Sequence, residues 1–171
     1  NNVVVLASSL TQNIASTGNR GDATGGRVAW TASANVTATL STTDYKQGDV
    51  SDSLDIAAAF TTGLASFKAT GLLDLSTYRQ VSFWIKQTAG TVAIAGDVSL
   101  RLCSDTIGAV SVQTIAIPAI GTLSQWTCFT VDTGGALPAI VNSIALYVDT
   151  DRGAQTFLLS NIIAGKDSTA A

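Results

Sequence analysis

Val81-Ser82-Phe83-Trp84-Ile85-Lys86 puts Val81, Phe83 and Ile85 on one parity and Ser82, Trp84 and Lys86 on the other. Val98-Ser99-Leu100-Arg101-Leu102-Cys103 and Ser143-Ile144-Ala145-Leu146-Tyr147-Val148 repeat the pattern with Leu, Ile and Val as the apolar set. A period of two is that of an extended strand with one buried face. Similar short runs predict strands at Val3 to Leu6, Arg27 to Ala32, Val36 to Leu40, Leu54 to Phe60, Leu64 to Ala69 and Val81 to Gln87. Further along they predict Val92 to Cys103 bent at Gly96, Val112 to Ile117, Trp126 to Asp132, Ser143 to Asp149 and Gln155 to Ala164. The Ala57-Ala58-Ala59 run inside Leu54 to Phe60 would suit a helix equally well. No window keeps a helical apolar stripe for three turns, which excludes parallel βαβ folds. Short strands at this spacing, joined by Gly, Asp, Ser and Thr, predict an all-β antiparallel sandwich of jelly-roll type.

The 171 residues suffice for one core, so residues 1–171 are expected to form a single domain, with Val3 to Ala164 ordered and 165–171 a tail or linker. Ser16 to Gly26 and Thr133 to Ala139 are the candidate loops. Val3 to Leu6 is far too short to span a bilayer, and no later run is long and apolar enough.

Hydrophobic residues make up 46% and charged residues only 12%, so the surface is polar through Thr and Ser rather than through charge. All 12 acidic residues are Asp, the net charge is −3, and there is no His. A chain without a basic field has nothing to hold nucleic acid, and membrane insertion is not expected. Missing His removes the usual general base near neutral pH and the commonest transition-metal ligand. A glycosidase needs two carboxyls facing across a cleft, yet Asp22, Asp44, Asp74, Asp105 and Asp151 all fall in connections. No nucleophile elbow, P-loop or dinucleotide fingerprint is present, and no catalysis is expected. Arg20-Gly21-Asp22 and the sequon Asn35-Val36-Thr37 are too short to carry a function. Cys103 and Cys128 match no zinc or redox spacing. Parity turns both thiols away from the core, and two free thiols are expected.

Leu73-Asp74-Leu75-Ser76-Thr77-Tyr78-Arg79-Gln80-Val81-Ser82-Phe83-Trp84-Ile85-Lys86 resembles a segment of galactose-binding-like jelly rolls, carbohydrate-binding modules among them. Leu102-Cys103-Ser104-Asp105, Trp126 to Asp132, Ile144 to Val148 and Phe157 to Ile163 follow in the family's order. Leu100 to Asp105, Gly134 to Leu137, Ser143 to Tyr147 and Ser160 to Ala164 are also similar to modules of tailed-phage particle proteins. That resemblance implies a non-catalytic structural or adhesive module of a virion or surface fibre, hence a virion or extracellular location. Partners would be copies of itself in a homo-oligomer, other virion proteins and cell-surface glycan. Two alternatives stand beside it: a secreted carbohydrate-binding module of a polysaccharide-degrading enzyme, and a filament subunit that donates Val3 to Leu6 to a neighbour.

Sugar recognition needs an aromatic plane and planar polar groups. Arg101 and Tyr147 lie on the outward parity of two strands expected in one sheet, and they are the first candidates for a glycan cleft. Trp84 is the second, on the other sheet with Lys86 and Trp126. The residues require no cofactor, although members of the resembled family often carry a structural Ca2+. Asp149-Thr150-Asp151 and Asp49-Val50-Ser51-Asp52-Ser53-Leu54-Asp55 offer carboxylates, but both read as turns.

Overall fold

The computed structural model describes residues 11–15 and 28–166, which carry eleven strands and no helix. In chain order these are β1 (Thr11–Ala15), β2 (Thr31–Ala32), β3 (Val36–Ser41), β4 (Ser51–Ile56), β5 (Gly63–Leu73) and β6 (Gln80–Ala89). Then come β7 (Val98–Cys103), β8 (Ser111–Ala116), β9 (Thr127–Asp132), β10 (Val141–Val148) and β11 (Gln155–Gly165). A six-stranded sheet runs β3-β4-β11-β6-β9, with β1 also paired to β11, and a five-stranded sheet runs β2-β5-β10-β7-β8. Every pairing is antiparallel. From β5 onward the chain crosses between sheets at every step except β7 to β8, which is the winding of a jelly roll.

The core is the sum of the inward parities. Leu54, Phe83, Ile85, Phe157 and Leu159 of one sheet meet Leu100, Leu102, Ile115, Ile144 and Leu146 of the other, all buried. Each contributes about 1.5–3 kcal/mol by leaving water. Arg101, Tyr147 and Trp84 fall on the outward parities, as expected.

Four expected strands are corrected. Leu54 to Phe60 stops at Ile56, because its partners Val36 of β3 and Gln155 of β11 are where both neighbours run out. Ala57-Ala58-Ala59 is then an exposed turn closed by Phe60 N–H donating to Ala57 O. Val92 to Cys103 is a strand only from Val98. Buried Gln87 satisfies the backbone before it, its amide donating to Ala89 O and Thr91 O and its oxygen accepting from Ala93 N–H. Of Arg27 to Ala32, Arg27 lies outside the described residues and only Thr31 and Ala32 of the rest are strand, and Trp126 lies just outside β9. The Asp49 to Asp55 turn is in part a strand, since β4 holds Asp52 on its inner face and Asp55 on its outer one. Val3 to Leu6 and Ser16 to Gly26 lie outside the described residues, and β1 was not foreseen.

Asp52 is a carboxyl in an apolar place. It sits in register with Leu159 and Leu40 and is 2% exposed. Across the sandwich it feels Lys68 of β5 and the Trp30 indole, which favour its charged form. Even so, Asp52 Oδ1, Trp30 Nε1 and Ser66 Oγ are each buried without a well-formed hydrogen bond. Burial outweighs both neighbours and pushes the Asp52 carboxyl up to about 7. The unfolded chain releases that proton near 3.8, so the folded state holds it more tightly. Stability from this group is therefore full at acid pH and falls as pH rises from about 4 to about 7. Asp52→Asn is expected to exceed the parent in stability at about pH 8 by up to about 4 kcal/mol and to flatten that slope. Urea unfolding of both proteins across this range checks it; parallel curves would contradict it.

Candidate functional site

The outer face of the five-stranded sheet is built from cross-strand rows. Arg101 pairs with Ala145 and Thr114, and Ala145 with Phe67, which makes one row. Ser99, Tyr147, Leu64 and Ala116 make the next. Antiparallel partners share a face, so Arg101 and Tyr147 are diagonal neighbours. The Arg101 guanidinium stacks 3.9 Å from the Tyr147 ring centre. Its Nη2 donates to Asp149 Oδ1 at 2.5 Å, and its Nε reaches Ser99 Oγ at 3.3 Å. Sequence reasoning weighed Asp149 only as a Ca2+ ligand, and here it is the anionic partner of Arg101. Burial raises the Tyr147 hydroxyl above its ordinary value, with Arg101 opposing.

Residues 104–110 fold back over this face. Tyr147 Oη donates to Gly108 O at 2.9 Å, Gly108 N–H donates to Ser143 Oγ, and Ser143 Oγ donates to Asp105 O. The Asp105 carboxylate accepts from Ala109 and Val110 N–H. Burial pushes that carboxyl up, but these backbone bonds outweigh it and hold it below the usual range. A Cβ on Gly108 would lie 2.7 Å from Phe67 Cβ and 3.0 Å from Ala145 Cβ, so only glycine lets the loop rest there. Beneath the loop lies Cys103, fully buried, its thiol pushed up to about 11 by burial and by Asp105.

Trp84 lies on the opposite side of the molecule, outward on the six-stranded sheet between Ser160 and Cys128. Residues 42–50 dress this face. Lys46 Nζ sits 4.9 Å from the Trp84 ring centre. Asp44 accepts from Lys86 Nζ at 2.7 Å and from Trp126 Nε1 at 2.9 Å, and the Lys86 hydrogen bond leads in holding its carboxyl below the usual range. The structure thus joins Arg101 to Tyr147 and sets Trp84 apart from both.

The carboxylates are dispersed. Asp97 pairs with Arg152 and Asp132 with Arg79, while Asp74 and Asp151 cap their own turns. Among the described residues no three His, Cys, Asp or Glu side chains converge as metal ligands. At Asn161 φ is +50° and the side-chain amide donates to Gln47 Oε1.

The fold is that of carbohydrate-binding-module jelly rolls. An arabinose-bound α-L-arabinofuranosidase superposes with TM-score 0.58 at 13% identity over 81% of this chain, which spans 23% of that enzyme's length. The C-terminal family 22 carbohydrate-binding module of Clostridium thermocellum Xyn10B gives TM-score 0.54 at 13% identity, covering 88% of this chain and 91% of the module. A xylan-binding family 22 domain gives 0.51 at 14% identity, covering 88% and 93%. No family model and no curated protein matches the sequence.

Period-two parity was enough to turn Arg101 and Tyr147 away from the core. The 104–110 loop was missed, since only a left-handed glycine within Leu102 to Val110 hints that the chain doubles back. Cys128 is exposed on the six-stranded sheet and Cys103 buried on the five-stranded one, so no bridge can join them. A thiol reagent is expected to modify Cys128 rapidly and Cys103 only after unfolding, as peptide mapping of the labelled protein would show. Rapid labelling of Cys103 in the native protein would mean that the loop does not stay closed.

Proposed function

We propose that this chain is a non-catalytic, extracellular carbohydrate-binding module that holds glycan on the outer face of its five-stranded sheet, at Tyr147, Arg101 and Asp149. The cluster of a guanidinium stacked on a phenol ring with a carboxylate at its edge carries the reading. Flat π surfaces take the apolar faces of pyranoses, while Arg and Asp donate to and accept from vicinal hydroxyls. Similar folds named for xylan binding and bound arabinose support glycan as the ligand class. Asp44, Asp97, Asp132 and Asp149 are held in ion pairs and Asp74, Asp105 and Asp151 cap turns, which supports a module without catalysis.

Glycan-array binding followed by calorimetry tests this. Tyr147→Ala and Arg101→Ala are each expected to weaken binding by about tenfold or more. Loss of binding in Trp84→Ala, with those two unaffected, would move the site to the six-stranded sheet.

A second reading, a structural part of a phage particle or fibre, rests on the sequence resemblance and the low charge. Ile107, Val110 and Val112 support it, since all three are exposed in or beside the loop leading into edge strand β8. Under this reading the isolated chain forms a defined homo-oligomer in light scattering coupled to size exclusion. A monomer at all concentrations would leave the binding module alone.

A further inference from the structure

The 104–110 loop does more than flank the Tyr147 surface. It leaves the end of β7, and its tip at Gly108 reaches over β10 to β5, against Ala145 Cβ of the first and Phe67 Cβ and Leu64 Cδ1 of the second. The chain then returns to β8, Ser104 N–H donating to Val110 O. The tip is therefore seated on the β5 end of both rows that carry Arg101 and Tyr147, and the Tyr147 hydroxyl is tied to it. At the other end of those rows, Thr114 and Ala116 of β8 are exposed, and β8 has no further strand beside it in the sheet.

We infer that, among the described residues, this surface is closed at the β5 end by Gly108 and open at the β8 edge, so that it takes a short oligosaccharide or a chain terminus rather than the interior of a polysaccharide. The inference rests on the carbohydrate-binding reading above. A sugar chain lying across the strands would enter over Ala116 and Thr114, meet Arg101 and Tyr147, and end against the loop. Continuing over Leu64 would require lifting a buried glycine whose N–H and carbonyl are both hydrogen-bonded. Units beyond the entrance would hang in solvent and add little affinity.

The test is calorimetric titration with xylo-oligosaccharides and mixed-linkage β-gluco-oligosaccharides, each from disaccharide to hexasaccharide, beside a broad glycan array. Affinity that changes by no more than about threefold beyond the trisaccharide supports the inference. Affinity that climbs by about tenfold or more up to the hexasaccharide overturns it and leaves the binding reading intact. A blank on both series and on the array overturns the binding reading and this inference together. Gly108→Val must displace the tip, and it is expected to give the hexasaccharide a gain over the disaccharide that the parent lacks. Should that variant fail to fold, Asp105→Asn weakens the loop's own anchor without touching the surface and is expected to shift the ratio the same way. An unchanged ratio in a folded Gly108→Val protein would overturn the assignment of the loop as the stop.

Discussion

Strand β11 hydrogen-bonds to β4 over Gln155–Leu159, to β1 over Ile162–Gly165, and to β6 along both stretches. Up to Leu159 its inward side chains are odd-numbered, and from Ile162 they are even-numbered. The change of phase occurs at Asn161, where φ is +50° and two residues face one on β6. A bulge of this kind turns the strand without breaking the sheet. Without it, Ile162 and Ala164 would point to solvent and Ile163 to the core, and the sheet would lose its closing edge near β1. Trp84, opposite Ser160, marks the last pair before the shift, so the loop 42–50 that reaches Ser160 and Asn161 through Gln47 is set by the same residue.

Interior polar groups follow two different economies. Gln87 and Gln155 are fully surrounded, yet their amides donate to backbone carbonyls of the 89–91 turn, converging on Thr91 O. Those bonds substitute for water and fix the turn from inside. Asp52, Trp30 and Ser66 have no such exchange, and an unpaired polar atom in the interior costs about 1–3 kcal/mol. The sandwich tolerates this because the same region carries Leu54, Leu159 and Ile144, whose burial offsets it.

The sheets were legible wherever one face is strongly apolar. β6, β7 and β10 alternate cleanly, and their outward residues followed from parity alone. β1 was not legible, because Thr11-Gln12-Asn13-Ile14-Ala15 has no alternation and is a strand only where β11 has an open edge to pair with. Strand ends were misjudged where pairing partners stop or where a side chain such as Gln87 replaces a neighbour, neither of which is local information. The candidate site was half legible: the outward direction of Arg101 and Tyr147 came from their parity, but their stacking, Asp149 as the partner and the seating of Gly108 on the sheet depend on how loops return to it. The change of strand phase at Asn161 was not legible either, because it shows only in the backbone and in the pairing with β6.

The two thiols also divide the molecule into a front and a back. Cys128 stands exposed on the six-stranded sheet, while Cys103 is sealed beneath the loop on the other side. A linker coupled to Cys128 would therefore fix the protein to a solid support by its rear face, every copy presenting Tyr147 and Arg101 outward. The fold thus comes with a built-in handle for oriented immobilisation.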